Sequence, residues 1–204
     1  MKIAIIDYGS GNIGSVERAA LQQKLDVILT RDKREIENAK ALILPGVGAM
    51  RDAMENLEKY GLTDIIRKEV KKGKKLAGIC LGMQALYESS EENGDVPALG
   101  ILPGRIVRFR RDKLKVPHMG WNELNFHKES WIARGLPAHA CVYFVHSYYK
   151  VPALSDDVIA TSDYGVKVPA IVGKDNIIGF QFHPEKSGDV GIQLWKNLGE
   201  WLVK

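Results

Sequence analysis

Cys80 stands in Gly78-Ile79-Cys80-Leu81-Gly82-Met83-Gln84, with a glycine two residues before it and another two residues after it. G-x-C-x-G is the pattern of a nucleophile elbow, with cysteine in the place of serine. The small residues permit a tight turn from strand to helix that projects the thiol from the carboxyl edge of a sheet. The helix N-terminus behind it favours thiolate over thiol. The Leu81 N–H is placed to donate to a developing oxyanion. A second cluster, Phe182-His183-Pro184-Glu185-Lys186, ends another apolar run. His183 and Glu185 are two apart, so in extended chain they point to one side, and Pro184 fixes the intervening φ. The imidazole can take the Cys80 proton, and the carboxylate can hold the ring's tautomer. A third segment, Pro45-Gly46-Val47-Gly48, ends a further run. Glycines there let backbone N–H groups approach a substrate oxygen, which makes Val47 and Gly48 candidates for the rest of an oxyanion hole. Each cluster alone has a plain reading: a buried structural cysteine, a lone His–Glu pair, a turn before a helix. Together, at the ends of different strands, they describe nucleophilic catalysis.

The elements that must position these groups follow from hydrophobic periodicity. Short apolar runs at residues 2–7, 26–30, 41–44 and 76–79 read as buried strands. Helical spacing covers residues 13–24, 49–59, 62–72 and 81–89. This alternation predicts an α/β fold, a parallel sheet with helices on both faces. The second half changes character. Residues 101–109, 142–145, 158–161, 167–172 and 177–182 read as short strands punctuated by proline and glycine, and residues 188–204 return to a helical pattern. The prediction is one domain over residues 1–204, an α/β core with an antiparallel β addition.

The chain has 204 residues, 45% hydrophobic and 26% charged, an ordinary balance for a globular protein with a single core. Residues 2–7 lack the long apolar stretch and cleavage site of a signal peptide, and no apolar run reaches membrane-spanning length. The expected compartment is the cytoplasm, with no membrane partner. The two cysteines, Cys80 and Cys141, give neither a disulfide framework nor paired zinc-ligand spacing. Net charge is +4, and basic residues cluster at 67–75 and 105–115. Neither cluster carries aromatic interleaving or a nucleic-acid-binding module, so both read as solvated charge. The minority reading for 105–115 is a protein or phosphate contact.

Gly9-Ser10-Gly11-Asn12-Ile13-Gly14 fits the dinucleotide fingerprint G-x-G-x-x-G, and Arg31 and Asp32 lie where a ribose reader would stand. An NAD(P)-binding protein is therefore the alternative outside hydrolase chemistry. Against it, Asp7 places a negative charge beside the would-be pyrophosphate.

The three catalytic clusters resemble the class I, or triad, glutamine amidotransferases, whose members carry G-x-C-x-G-x-Q and H-P-E. The resemblance spans essentially the whole chain. It implies a flavodoxin-like, mostly parallel sheet and hydrolysis of glutamine through a γ-glutamyl thioester, with no cofactor and no metal. Further segments narrow it: Asp7-Tyr8-Gly9-Ser10-Gly11-Asn12, Pro117-His118-Met119-Gly120-Trp121-Asn122 and His146-Ser147-Tyr148 are similar to the glutaminase subunits of imidazole glycerol phosphate synthase, of histidine biosynthesis. In that group the glutaminase forms a heterodimer with a (β/α)8-barrel cyclase and channels ammonia to it, and the cyclase makes imidazole glycerol phosphate and AICAR. The resemblance implies Cys80 as nucleophile, His183 as base and acid, and Glu185 as its orienting partner. It implies Gly46, Val47 and Gly48 as the oxyanion segment and Gln84, His146, Ser147 and Tyr148 as the glutamine pocket. It sets Asn12, Met119, Trp121, Tyr143 and Lys186 at the cyclase interface. Core packing is the competing reading for Met119, Trp121 and Tyr143, and a surface charge pair for Lys186. Ser10 is assigned no role. The nearest alternative within the class is the glutaminase of pyridoxal phosphate synthase, whose oxyanion segment carries G-G-E-S rather than Gly46-Val47-Gly48-Ala49. A glutaminase that idles without its partner should hold the Val47 N–H away from the Cys80 pocket.

Overall fold

The computed structural model describes residues 2–110 and 114–204. Its first half contains the strands Ile3–Ile6 (β1), Val27–Thr30 (β2), Ala41–Leu44 (β3) and Lys75–Ile79 (β4). Between them lie the helices Ile13–Gln22 (α1), Lys33–Asn38 (α2), Met50–Lys59 (α3) and Leu62–Lys71 (α4). After β4 come a short helix, Leu81–Gln84 (α5), and the strands Ser89–Ser90 (β5), Val96–Pro97 (β6), Arg105–Arg108 (β7), His118–Glu123 (β8) and Asn125–Phe126 (β9). Cys141–His146 (β10), Tyr148–Val151 (β11), Val158–Asp163 (β12), Lys167–Lys174 (β13) and Ile177–Phe180 (β14) follow, and the helix Gly188–Val203 (α6) comes last.

The main sheet has the order β2-β1-β3-β4-β14-β13-β12-β9. The first five are parallel, and the last three join antiparallel. The parallel part has the 2-1-3-4-5 order of flavodoxin-like sheets, in which ligands bind beyond the strands' carboxyl ends. Alternation along β1 explains the two-faced core. Ile3 and Ile5 pack with Val16 of α1 and Leu198 of α6, whereas Ala4 and Ile6 pack with Ile36, Leu57 and Ile66 of α2, α3 and α4. A ribbon of β8 and β10 and a small sheet ordered β11-β7-β5-β6 stand outside this frame.

Several boundaries differ from the sequence reading. The helix expected over 81–89 stops at Gln84, because the chain then tightens into i→i−3 bonds from Leu86 to Met83 and from Tyr87 to Gln84. The strand expected over 101–109 is confined to β7. Helix α2 was not foreseen, although Asp32 caps it by accepting from the N–H groups of Arg34 and Glu35. Strand β8 was not foreseen either. The basic segment 105–115 lies partly outside the described residues. Within them Arg105 pairs with Asp95 at 2.6 Å and Arg108 lies over the Tyr148 ring. Among the described residues, no helix is long and apolar enough to cross a membrane.

The basic segment 67–75 is partly structural. Glu69 of α4 is buried, and it accepts from Lys72 at 2.6 Å and pairs with Lys74 at 2.9 Å. Burial alone would raise its pKa, but the two ammonium groups outweigh it, and the net shift is downward from 4.5. A depressed carboxylate contributes stability above its unfolded pKa that is lost as pH falls through its folded one. Glu69→Gln should therefore cost about 1–3 kcal/mol at pH 7. Denaturant unfolding at neutral pH and below pH 4 checks this: the difference from the parent should shrink in acid.

Candidate active site

Three strand ends of the parallel sheet build the site. β4 ends in Cys80, whose φ of 53° and ψ of −110° lie in a region that costs a non-glycine residue about 1–3 kcal/mol. The turn is possible because Gly82 sits directly against β3. A Cβ at Gly82 would collide with the Leu44 carbonyl oxygen and come within 2.7 Å of its carbon, both backbone atoms. Gly82→Ala should therefore destabilise the chain by at least about 3 kcal/mol, because neither strand end can yield. A thermal melt reads the loss.

β14 leads through Phe182 into His183, at the mouth of a 3-10 turn over Pro184–Lys186. His183 Nδ1 bonds Glu185 Oε1 at 2.7 Å, and both side chains are 1% exposed. A carboxylate oxygen only accepts, so Nδ1 carries a proton. Asn12 Nδ2 donates to the same Oε1 at 2.7 Å. His183 Nε2 is buried and has no hydrogen-bond partner of full geometry. Cys80 is its neighbour across the same cavity wall, and a loose contact of this kind would suit a catalytic pair before substrate binds. Burial opposes charge on His183, but Cys80 and Glu185 outweigh it and hold the imidazole pKa up at about 10. The ring is thus an imidazolium at neutral pH, with a proton on Nε2 as well as on Nδ1.

A cavity of about 260 Å³ opens between these groups, lined by Cys80, Leu81, His183, Val47 and Gly48 and also by Gln84, His146, Ser147 and Tyr148. That volume suits an amino acid rather than a dinucleotide, since drug-sized ligands occupy about 300–1,000 Å³. Glu92, which the sequence reading did not single out, also lines it. Its carboxylate accepts from Met50 N at 2.8 Å, and burial raises its pKa. Gln181, likewise unforeseen, is fully buried and directs Nε2 at Cys80 Sγ, 4.0 Å away.

The oxyanion segment follows β3, and here one expectation is corrected. The Leu81 N–H is not free: it donates to the Gly46 carbonyl at 3.2 Å. The Val47 N–H points the other way and donates to Ser10 Oγ at 3.0 Å. Both facts have one cause, the orientation of the Gly46–Val47 peptide, which puts its carbonyl over the start of α5. Position 46 must be glycine, since a Cβ would stand 2.5 Å from Tyr8 Oη and 2.9 Å from Gly82 N.

The residues expected at a partner interface separate. Met119 and Trp121 are 61% and 58% exposed on β8, so core packing does not account for them. Tyr143 packs its ring edge-on against Trp121. Lys186 is exposed, and it cannot form a surface pair with Glu185, which is turned inward. Asn12 is half-buried, apart from the ribbon, and its side chain donates to Glu185 Oε1 behind His183. His146 lines the cavity but offers it no free nitrogen: Nδ1 bonds the Tyr148 carbonyl and Nε2 bonds His118 Nδ1.

The dinucleotide reading fails on the same geometry. Asp7 accepts from Gly9 N and pairs with Arg31, whose guanidinium also covers the Tyr60 ring. Arg31 is therefore engaged, and Asn12 in the glycine loop serves Glu185.

Residues 4–197 match the family described as glutamine amidotransferase class-I, and the chain belongs to that family. It is 52% identical over 200 residues to the imidazole glycerol phosphate synthase subunit HisH of Geobacillus kaustophilus, covering 96% of this chain and 94% of that one. It is 48% identical to the subunit of the same name from Bacillus velezensis, covering 99% of both chains. Among solved structures, a glutamine amidotransferase superposes with a TM-score of 0.74 at 22% identity, over 98% of this chain and 100% of that one. PurLQS from Thermotoga maritima gives 0.75 at 17% identity over 98% of both, a likeness of fold alone.

Proposed function

We propose that this chain is the glutaminase subunit of an imidazole glycerol phosphate synthase, releasing ammonia from glutamine for a cyclase subunit. One observation carries the chemistry: a strained Cys80 and a Glu185-paired His183 share the wall of an amino-acid-sized cavity at the carboxyl ends of β4 and β14. The Cys80 sulfur attacks the side-chain amide carbon of glutamine. His183 gives its Nε2 proton to the leaving nitrogen, and ammonia departs from a γ-glutamyl thioester. A water then attacks, His183 takes its proton, and glutamate leaves with the thiolate restored. Glu185, steadied by Asn12, keeps Nε2 aimed at the sulfur. Gln84 and Glu92 line the cavity where the ammonium and carboxylate end of glutamine would lie, and a half-buried carboxylate suits an ammonium.

The synthase assignment is supported by relatives between 46% and 52% identical over nearly the whole chain. These relatives favour it over the pyridoxal phosphate synthase alternative. Being a subunit, the chain needs a partner. The exposed Met119 and Trp121 with Tyr143 form an apolar and aromatic patch suited to a (β/α)8-barrel cyclase. A sealed interface would keep ammonia unprotonated in transit and water out of the site. The test is sedimentation of this chain mixed with its cyclase subunit, together with a glutaminase assay of the mixture. A heterodimer with cyclase-dependent hydrolysis is expected. Separate sedimentation of the two subunits would contradict the assignment.

A further inference from the structure

A run of hydrogen bonds in the cavity wall has its donors and acceptors fixed one after another, and it leads out of the cavity to His118. Its fixed point is the Tyr148 carbonyl, which can only accept. It takes His146 Nδ1 at 2.8 Å and Gln84 Nε2 at 2.9 Å. His146 therefore carries its proton on Nδ1, and in a neutral ring its Nε2 only accepts. That Nε2 lies 2.9 Å from His118 Nδ1, so His118 must donate from Nδ1. His118 Nε2 is left to accept from Asn122 Nδ2 at 3.4 Å. Burial keeps both rings neutral, lowering the pKa of His118 to about 4 and that of His146 to about 3. The other branch is fixed in the same way. Gln84 gives its second Nε2 hydrogen to Gln181 Oε1 at 2.9 Å, which turns Gln181 Nε2 toward Cys80 Sγ. The Gln84 carbonyl oxygen is left for the cavity, where it can only accept.

His118 does not line the cavity. Its ring is stacked between Phe144 and Tyr164, with centroids 4.5 and 4.0 Å away, so it cannot swing aside. It sits on β8 beside the exposed Met119.

We infer that His118 is a positioning residue for glutamine: its Nδ1–H satisfies the His146 Nε2 that the Tyr148 carbonyl leaves as a buried acceptor, and so holds in place the ring and the carbonyl against which Gln84 presents its amide. This inference rests on the glutaminase reading above. Its first test does not. Of the five histidines, His118 and His146 should both carry the proton on Nδ1 in the nitrogen-15 spectrum of the full chain. A scalar coupling should connect His118 Nδ1 with His146 Nε2 across the hydrogen bond. A proton on His146 Nε2 in the unaltered chain would overturn the inference.

The second test is kinetic and uses the complex with its cyclase subunit. His118→Phe keeps a ring between Phe144 and Tyr164 and removes the donor. The buried His146 acceptor is then orphaned, and the KM for glutamine should rise roughly tenfold, with kcat changing by less than about twofold. His118→Asn sets an amide N–H near the place of Nδ1 and should restore most of the KM. An unchanged KM in folded His118→Phe, or an asparagine variant no better than the phenylalanine one, would overturn the inference. If the unaltered complex hydrolyses no glutamine, the glutaminase reading falls, while the spectrum still judges the histidine pair.

Discussion

Cys80→Ala should abolish glutamine hydrolysis and leave synthesis from added ammonia intact. On the proposed mechanism the thiol forms the bond to substrate, and removing a nucleophile that acts as part of a unit costs on the order of 10⁶-fold in kcat. The cyclase reaction needs only ammonia, so ammonium salts at a pH that supplies free ammonia should bypass the defect. The fold should tolerate the change: Cys80 is 7% exposed at the edge of a packed cluster, and alanine occupies less space in the same turn. The check is a pair of assays on the reconstituted complex, one driven by glutamine and one by ammonia. Loss of both would mean that Cys80 holds the structure or the interface together rather than performing the chemistry.

The second large effect concerns the Gly46–Val47 peptide. As it stands, the oxyanion site meets a carbonyl oxygen, the Leu81 N–H is occupied by that carbonyl, and the Val47 N–H is spent on Ser10. Rotating this one peptide would turn the Val47 N–H inward and release the Leu81 N–H at the same time. Each donor gained at an oxyanion is worth about 10²–10³ in rate. Hydrolysis by the chain alone should therefore be at least about 10²-fold slower than hydrolysis by the complex with a cyclase ligand bound. Ser10 gives a handle on the resting state. Ser10→Ala removes the acceptor that holds the Val47 N–H outward and should raise the basal rate about two- to tenfold, the worth of one hydrogen bond. Steady-state glutamine hydrolysis, with and without the cyclase and its ligand, measures both. Equal rates with and without the partner would end the switch, and a Ser10→Ala rate equal to the parent's would remove the latch.

What was legible in the sequence was what depends on short-range pattern. The glycines flanking Cys80 encode a turn, and the turn is there. The apolar runs at β1, β3 and β4 announce buried parallel strands because both their faces are covered. The spacing of His183 and Glu185 announces a hydrogen bond within one segment. Contacts between segments distant in the chain were not legible. Ser10 was given no role, since a serine in a loop carries no local sign that its hydroxyl will meet a backbone N–H 37 residues away. Leu81 N–H was expected to be free because nothing at positions 80–82 reveals which way the peptide after Gly46 faces. Strand β8 was missed because its inward side carries His118, Gly120 and Asn122 instead of the apolar residues that mark a strand. Glu92 sits in a loop between β5 and β6, with no motif around it. That the Asn12 amide reaches Glu185, 173 residues away, is likewise not written in the residues of its own loop. In each case a polar group is satisfied by a distant partner, which the fold decides and periodicity does not.

The proposed reaction requires a covalent bond between Cys80 and the glutamyl group. Its most direct test is mass spectrometry of the complex quenched in acid during turnover of glutamine, followed by mapping of the modified peptide. A glutamyl group, glutamine less ammonia, is expected on the peptide containing Cys80 and should be absent from the Cys80→Ala chain. Hydrolysis at full rate with no adduct on Cys80, or with the adduct on Cys141, would contradict it.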